Sequence, residues 1–347
     1  MTANAAPTAA PLLRVDDVVV EYPRKGHDPM RALAGVSMEV APGEIVGIVG
    51  ESGCGKSTLA RAITGLAPAH SGSITFDGAT VSAVGRRRRD PALLPLQMVF
   101  QDPNASLNPR RTVGAQIEEV VVARDRANGV RRGRRDPEAA REAAEALRRV
   151  GLPDGSARKY PHEFSGGQRQ RAAIARALAS RPRMIVADEP VSALDASAQA
   201  AVANLLRDLS RQEGIALAFI SHDLAVVGAL ADRVVVMYLG RIVETGTVDQ
   251  IFNAPQHPYT KALLAAVPVP DGTGARPQAL TGEVPDPGSP PPGCRFHPRC
   301  PLAVDRCRTD EPVLLGAPGT TAGGDQPVSL VACWVAQRHE PAVVPVG

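Results

Sequence analysis

From Leu12 to about Phe252, short apolar runs alternate with stretches whose apolar positions recur at helical spacing. Five runs predict strands: EIVGIVG (residues 44–50), LQMVF (96–100), RMIVAD (183–188), ALAFIS (216–221) and RVVVMYLG (233–240). Several are apolar at consecutive rather than alternate positions. Strands buried on both faces read that way, which predicts a parallel sheet covered by helices on both sides. LARAITGL, starting at Leu59, and RQRAAIARALAS, starting at Arg169, predict helices, and the Arg- and Ala-rich stretch 137–150 predicts an exposed amphipathic one. After Pro255 the pattern changes. Proline and glycine become dense over 268–293, ending in PDPGSPPPG, which predicts an extended connector. The expected organisation is a disordered start over 1–11, an α/β domain over 12–255 and a C-terminal extension over 256–347.

Composition narrows this picture. The 347 residues suffice for at least one full core, and with aromatics at only 3% that core must be filled by Ala, Val, Leu and Ile. A net charge of +3 is too mild to indicate nucleic acid, and none is expected as a partner. The basic runs RRRR (86–89) and RRGRR (131–135) read as solvated loops. MTANAAPTAAP lacks the basic and apolar regions of a signal peptide, and no apolar run approaches the roughly 20 residues of a membrane-spanning helix. IALAFI reads as a buried strand and ALLAAV as a short helix. A cytoplasmic location is the expectation. In a reducing compartment, clustered cysteines bind metal more often than they pair. Four of the five cysteines, Cys294, Cys300, Cys307 and Cys333, stand in the extension.

The chemistry begins at GESGCGKST, residues 50–58, which fits G-x-x-x-x-G-K-[ST] between a predicted strand and a predicted helix. Gly50, Gly53 and Gly55 let the backbone curl so that its amides, with those of Ser52, Cys54 and Thr58, surround an anion at a helix N-terminus. Lys56 is placed to reach outer phosphates and Ser57 to ligate Mg²⁺. Cys54 reads as a small tolerated side chain, not a nucleophile. The second element, MIVADEP (184–190), delivers Asp188 at the end of an apolar strand, where open α/β sheets bind ligands. Asp188 suits Mg²⁺ and Glu189 suits polarisation of a water. In EFSGGQRQR (163–171), Ser165 can cap a helix while Gly166 and Gly167 leave its first amides bare, a second anion-binding surface.

With EFSGGQRQR the chain resembles the ATPases of ABC transporters. Gln101 in VFQDP resembles the Q-loop, SALD (192–195) the D-loop, His222 in ISHD the switch histidine, and Tyr22 in VEYP the aromatic that stacks on adenine. These motifs stand in family order over roughly the first 250 residues. The resemblance implies a P-loop NTPase of α/β class, a RecA-like mixed sheet with an antiparallel β subdomain and a helical subdomain at about 102–178. It also implies that two such domains dimerise head to tail, each ATP held between one chain's phosphate loop and the other's Ser165, Gly166, Gly167 and Gln168. Glu189, His222 and Gln101 would be catalytic; Ser57, Gln101 and Asp188 would hold Mg²⁺.

HPYTKALLAAVP (257–268) resembles the C-terminal extension of oligopeptide and dipeptide importer ATPases. FQDPNASLNPR, EPVSALDAS and VMYLGRIVE look most like the second, F-type, ATPase of that group. The implied partners are a second, distinct ATPase, two transmembrane permeases and an extracytoplasmic peptide-binding protein, with this chain peripheral at the cytoplasmic membrane face. Nickel or glutathione import, a soluble ABC ATPase and a non-hydrolysing regulatory subunit are the alternatives. The cysteine spacing, C-x5-C-x6-C-x25-C, is looser than a zinc ribbon's tight pairs. The resemblance implies a [4Fe–4S] cluster on Cys294, Cys300, Cys307 and Cys333; zinc and disulfides remain alternatives, and His297 could replace a ligand. With few large apolar residues, the extension is expected to rely on a metal centre as its staple.

Overall fold

The computed structural model describes residues 10–85, 89–133, 136–266, 282–316 and 329–337. Residues 1–9 of the expected disordered start (1–11), three arginines of the first basic run, two of the second and residues 268–281 of the expected connector (268–293) lie outside the described residues.

In chain order the strands are β1 (Leu13–Arg24), β2 (His27–Val40), β3 (Ile45–Val49), β4 (Ser71–Phe76), β5 (Ala79–Thr80), β6 (Leu96–Val99), β7 (Met184–Asp188), β8 (Ala216–Ile220), β9 (Arg233–Tyr238), β10 (Arg241–Thr247), β11 (Leu315–Gly316) and β12 (Leu330–Val331). The larger sheet has the order β11-β12-β10-β9-β3-β8-β7-β6. Its central pairs, β9 with β3, β3 with β8, β8 with β7 and β7 with β6, are parallel. Every residue of β3, β7 and β8 is buried. Ile45 and Val49 face one core while Val46 and Ile48 face the other. That two-sided burial is why these runs are continuously apolar. An antiparallel sheet, β2-β1-β4-β5, packs against the second core.

The helices are α1 (Lys56–Ile63), α2 (Pro103–Ser106), α3 (Val113–Ala127), α4 (Pro137–Arg149), α5 (Gly166–Leu178), α6 (Ala196–Glu213), α7 (Leu224–Leu230), α8 (Val248–Asn253), α9 (Pro258–Ala265), α10 (Arg306–Thr309) and α11 (Trp334–Gln337). Helix α4 is amphipathic as expected, burying Ala139, Ala143, Ala146 and Leu147. The second basic run is not all solvated. Arg132 is turned inward onto Asp125, Asp136 and Glu142, where Arg124 also binds Asp125 and Glu142. Arg124 and Asp125 are themselves buried, so each charge needs the others.

Helices α3 to α9 each begin at a side chain that accepts a first-turn N–H: Thr112, Asp136, Ser165, Asp195, Asp223, Thr247 and His257. Such caps contribute about 1 kcal/mol each. Helix α1 has no side-chain cap; Gly55, at φ 106°, precedes it.

The extension does not stand apart. Strand β12 pairs with β10, and the Ala332 amide bonds the Val243 carbonyl at 2.8 Å. Phe296 is buried in the main core and meets Tyr238 and Tyr259 at ring-centroid distances of 5.3 and 5.4 Å. Fully buried Glu244 on β10 accepts the amides of Gln256 (2.6 Å) and His257 (3.0 Å), fixing the entry to α9. His257 is neutral, its pKa lowered to about 3 by burial, so its Nδ1 can accept the Tyr259 amide at 3.0 Å. The expectation that a metal centre is the extension's staple is therefore corrected: the extension borrows the ATPase core.

Removing the shared aromatic should accordingly destabilise the whole chain. Phe296→Ala is expected to cost about 3–5 kcal/mol and to lower one common melting transition followed by circular dichroism. A separate early transition of the extension, with the main one unmoved, would contradict this packing.

Candidate functional site

Strand β3 runs into the loop 50–55 and then into α1, an arrangement that needs unusual backbone angles. Gly50 has φ 150° and Gly55 φ 106°. A Cβ on Gly50 would stand 2.2 Å from the Met237 carbonyl oxygen, and one on Gly55 would stand 2.6 Å from that of Ala32. Only glycine fits either position. The loop wraps around the buried Lys56 ammonium, which donates to the carbonyls of Gly50 (2.7 Å) and Glu51 (2.9 Å). The carbonyls face the lysine, and the uncapped start of α1 leaves first-turn amides for an anion. Cys54 is buried and its thiol pKa is raised by burial, consistent with a space-filling role.

Beside this loop the Ser57 hydroxyl donates to Asp188 at 2.9 Å. Burial raises the Asp188 pKa, with the serine hydrogen bond opposing it. These two oxygen groups suit a hard divalent cation. The next residue, Glu189, adopts φ 45°, a strained angle for a non-glycine residue, with its amide tied to the Ile220 carbonyl at 3.0 Å. That kink presents its carboxylate to Gln101 Nε2 at 3.0 Å and to His222 Nδ1 at 3.5 Å. Gln101 also reaches the Ser192 hydroxyl at 3.3 Å. A carboxylate held between an amide and an imidazole can orient and deprotonate a water.

A cleft of about 440 Å³ gathers Tyr22, Ser52, Gly53, Gly55, Lys56, Ser57, Thr58, Gln101 and Glu189, the expected residues from distant parts of the chain. Gly50, Cys54 and Asp188 lie buried behind it, and His222 stands at the rim with its side chain 62% exposed. Pro287 of the extension also lines the cleft, which the sequence patterns did not indicate.

Ser165, Gly166, Gly167 and Gln168 do not line that cleft. Ser165 and Gln168 form a reciprocal cap at the start of α5, with Ser165 N–H donating to Gln168 Oε1 at 3.0 Å. Ser165, Gly167 and Gln168 border a separate hollow beside Ala198 and Val202. The starts of α1 and α5 thus open onto different hollows.

The four extension cysteines are free thiols in one neighbourhood. Burial raises the pKa of Cys294 to about 12, and the nearby Cys307, Cys333 and Cys300 add to the rise. Backbone amides of Phe296 and Leu302 point at the sulfurs of Cys294 and Cys300, and those of Val335 and Ala336 at Cys333. No disulfide joins them. Among the described residues, however, no group of three or more His, Cys, Asp or Glu side chains is arranged to hold a metal ion. His297 turns its Nδ1 to the Cys294 carbonyl at 2.9 Å.

The residues least visible from sequence are Glu51, Tyr259 and Arg299. The Glu51 amide donates to the Tyr259 hydroxyl at 2.8 Å, and the Glu51 carboxylate takes two bonds from Arg299, at 2.7 and 3.1 Å. The tyrosine of HPYT and a carboxylate inside a phosphate loop were the available signals.

Residues 33–192 match the family described as ABC transporter, and residues 243–307 match the oligopeptide/dipeptide transporter C-terminal region. The chain is 50% identical to the probable peptide ABC transporter ATP-binding protein y4tS of Sinorhizobium fredii, over 88% of this chain and 87% of that one. It is 48% identical to the di/tripeptide transport ATP-binding protein DppF of Pseudomonas aeruginosa, covering 84% and 88%, and 48% identical to the oligopeptide transport ATP-binding protein OppF of Salmonella typhimurium, covering 83% and 85%. Among solved structures it is similar to the dimeric ATP-binding cassette MJ0796 in a post-hydrolysis state with ADP and Pi, at 29% identity and TM-score 0.58, covering 68% of this chain and 98% of that one. Phosphate loop, acidic strand end, helix-start signature and matched C-terminal region together place the chain in the ABC transporter family, as an ATP-binding subunit with the oligopeptide/dipeptide transporter C-terminal region.

Proposed function

We propose that this chain hydrolyses ATP to power import of peptides, as one of two ATPase subunits docked on the cytoplasmic face of a membrane transporter. The observation that carries the reading is the single cleft in which Lys56, Ser57, Gln101 and Glu189 meet, with Asp188 bonded to Ser57 behind it. Peptide as cargo is supported by the names of the relatives y4tS, DppF and OppF and by the C-terminal match. That same match disfavours a soluble ABC ATPase; the peptide relatives disfavour nickel or glutathione as cargo.

In this reading the amides of the loop and of α1 cradle the phosphates, Tyr22 stacks on the base, and Lys56 supplies the positive charge. Ser57, Asp188 and Gln101 would hold Mg²⁺, which supplies charge neutralisation on the phosphates. Glu189 takes the proton of the attacking water, positioned by His222 and Gln101. The tip formed by Ser165, Gly166, Gly167 and Gln168 serves the neighbouring ATPase's nucleotide, because it does not line its own chain's cleft. Hydrolysis then weakens the grip between two chains, the kind of opening that can move a membrane partner. We assign the ATPase unit to residues 12–255, its helical part to about 102–178, and the extension to 256–347. The partners are a distinct second ATPase, two permeases and an extracytoplasmic peptide-binding protein.

A finer proposal concerns the cysteines: Cys294, Cys300, Cys307 and Cys333 hold a [4Fe–4S] cluster, with zinc the alternative guest. Four free thiols in one neighbourhood and the amides aimed at three of the sulfurs support it.

Glu189→Gln is expected to keep nucleotide binding and to lower hydrolysis on the order of 10²–10⁴-fold; undiminished phosphate release would remove Glu189 from its role. Ser165→Arg should leave binding of a fluorescent ATP analogue intact and abolish hydrolysis in the assembled transporter. Unchanged turnover there would refute sharing of the site. Anaerobically purified protein should contain iron and acid-labile sulfide, lost in Cys300→Ser; stoichiometric zinc, or no metal, would overturn the cluster.

A further inference from the structure

The extension grips the phosphate loop at Glu51, from behind the cleft. The Tyr259 hydroxyl accepts the Glu51 amide, and Arg299 binds the Glu51 carboxylate through two nitrogens. The same residue's carbonyl accepts the Lys56 ammonium at 2.9 Å. Glu51 is thus held at its N–H, its side chain and its C=O, by two residues of the extension and by Lys56 at the start of α1.

The gripping groups are rigid. Tyr259 is fully buried, with its ring 4.7 Å from that of Tyr238. The Arg299 side chain is only 3% exposed, lies 5.9 Å from the ring centres of Tyr238 and Phe296, and reaches the Tyr238 hydroxyl at 3.4 Å. Neither Tyr259 nor Arg299 lines the cleft, so neither is placed to touch a nucleotide there. Removing either partner of so buried a pair would leave the other charge uncompensated.

We propose that Arg299 and Tyr259 are positioning residues for the ATP site, through which the C-terminal extension holds the phosphate loop in its binding form before nucleotide arrives. A loop already ordered loses less conformational freedom when phosphate binds, and so binds more tightly. The proposal rests on the reading of residues 50–58 as the nucleotide site and adds the extension as its support. It gives the extension a task in the ATPase itself.

Two measurements on the full-length chain test it. In nucleotide-free protein, hydrogen exchange of the 51–55 amides should quicken in Arg299→Ala and in the milder Tyr259→Phe, while β8 keeps its protection. By calorimetry, Mg-ATP affinity should fall about five- to tenfold in Arg299→Ala, less in Tyr259→Phe, and recover in part in Arg299→Lys. Glu51→Gln combined with Arg299→Ala should bind no worse than the weaker single variant, since both break one contact. Wild-type affinity and wild-type exchange in both variants would overturn the proposal. So would loss of protection throughout the fold in both, which marks a merely structural role. If the unsubstituted chain fails to bind Mg-ATP, the ATP-site reading falls and this inference with it; normal binding by that chain and by Arg299→Ala defeats the inference alone.

Discussion

The phosphate loop is a backbone bent around a charge. Lys56 holds the carbonyls of Gly50 and Glu51 inward, and this sets the loop's curl. The curl is possible because Gly50 and Gly55 take angles that a side chain would block against the Met237 and Ala32 carbonyls. Those carbonyls belong to β9 and β2, one from each sheet, so the loop's shape depends on both sheets being in place. A lysine held by two carbonyls of its own loop stays buried and oriented. The uncapped start of α1 then remains exposed to a ligand instead of being satisfied by a side chain.

Much of this was legible in the chain, for local reasons. Glycines, lysine and the acidic strand end are short-range patterns, and continuous apolar runs mark strands buried on two faces. The antiparallel sheet was not resolved into strands from the pattern of residues. Strands β1 and β2 pair with register shifts, one of them at Asp16–Asp17, where Asp17 takes φ 44°. Bulges of that kind break the alternation that identifies a half-buried strand. The basic run misled for a different reason. Arg132 has its partners in Asp125, before the run, and in Asp136 and Glu142, after it, so charge density alone cannot show that it folds inward.

The clasp on Glu51 was illegible because its halves lie 248 residues apart. Nothing near Arg299 signals its target, since cysteines dominate that segment and direct attention to metal. The crowding of four cysteines in the extension was visible in the sequence. It could not show that the extension is already anchored by β12, Phe296 and Tyr259, whatever the thiols bind. Aromatics are scarce in this chain, yet three fully buried ones meet at this joint. Large rings bury the most surface per residue, so few suffice to attach a proline-rich segment with little core of its own.

That joint also explains why the sequence HPYT reads as a unit. His257 stays neutral through burial, which lets its Nδ1 cap α9 by accepting the Tyr259 amide. Pro258 starts the helix without needing an amide partner. The helix start, so fixed, aims the Tyr259 hydroxyl at Glu51. Buried Glu244 secures the approach by taking the two amides just before the helix. Each residue of the run constrains the next, from the central sheet to the phosphate loop. Arg299 completes the arrangement from the other side of the extension, next in sequence to Cys300. A segment that looks like an appendage in sequence is therefore packed, through one carboxylate and one amide, onto the element that meets the nucleotide.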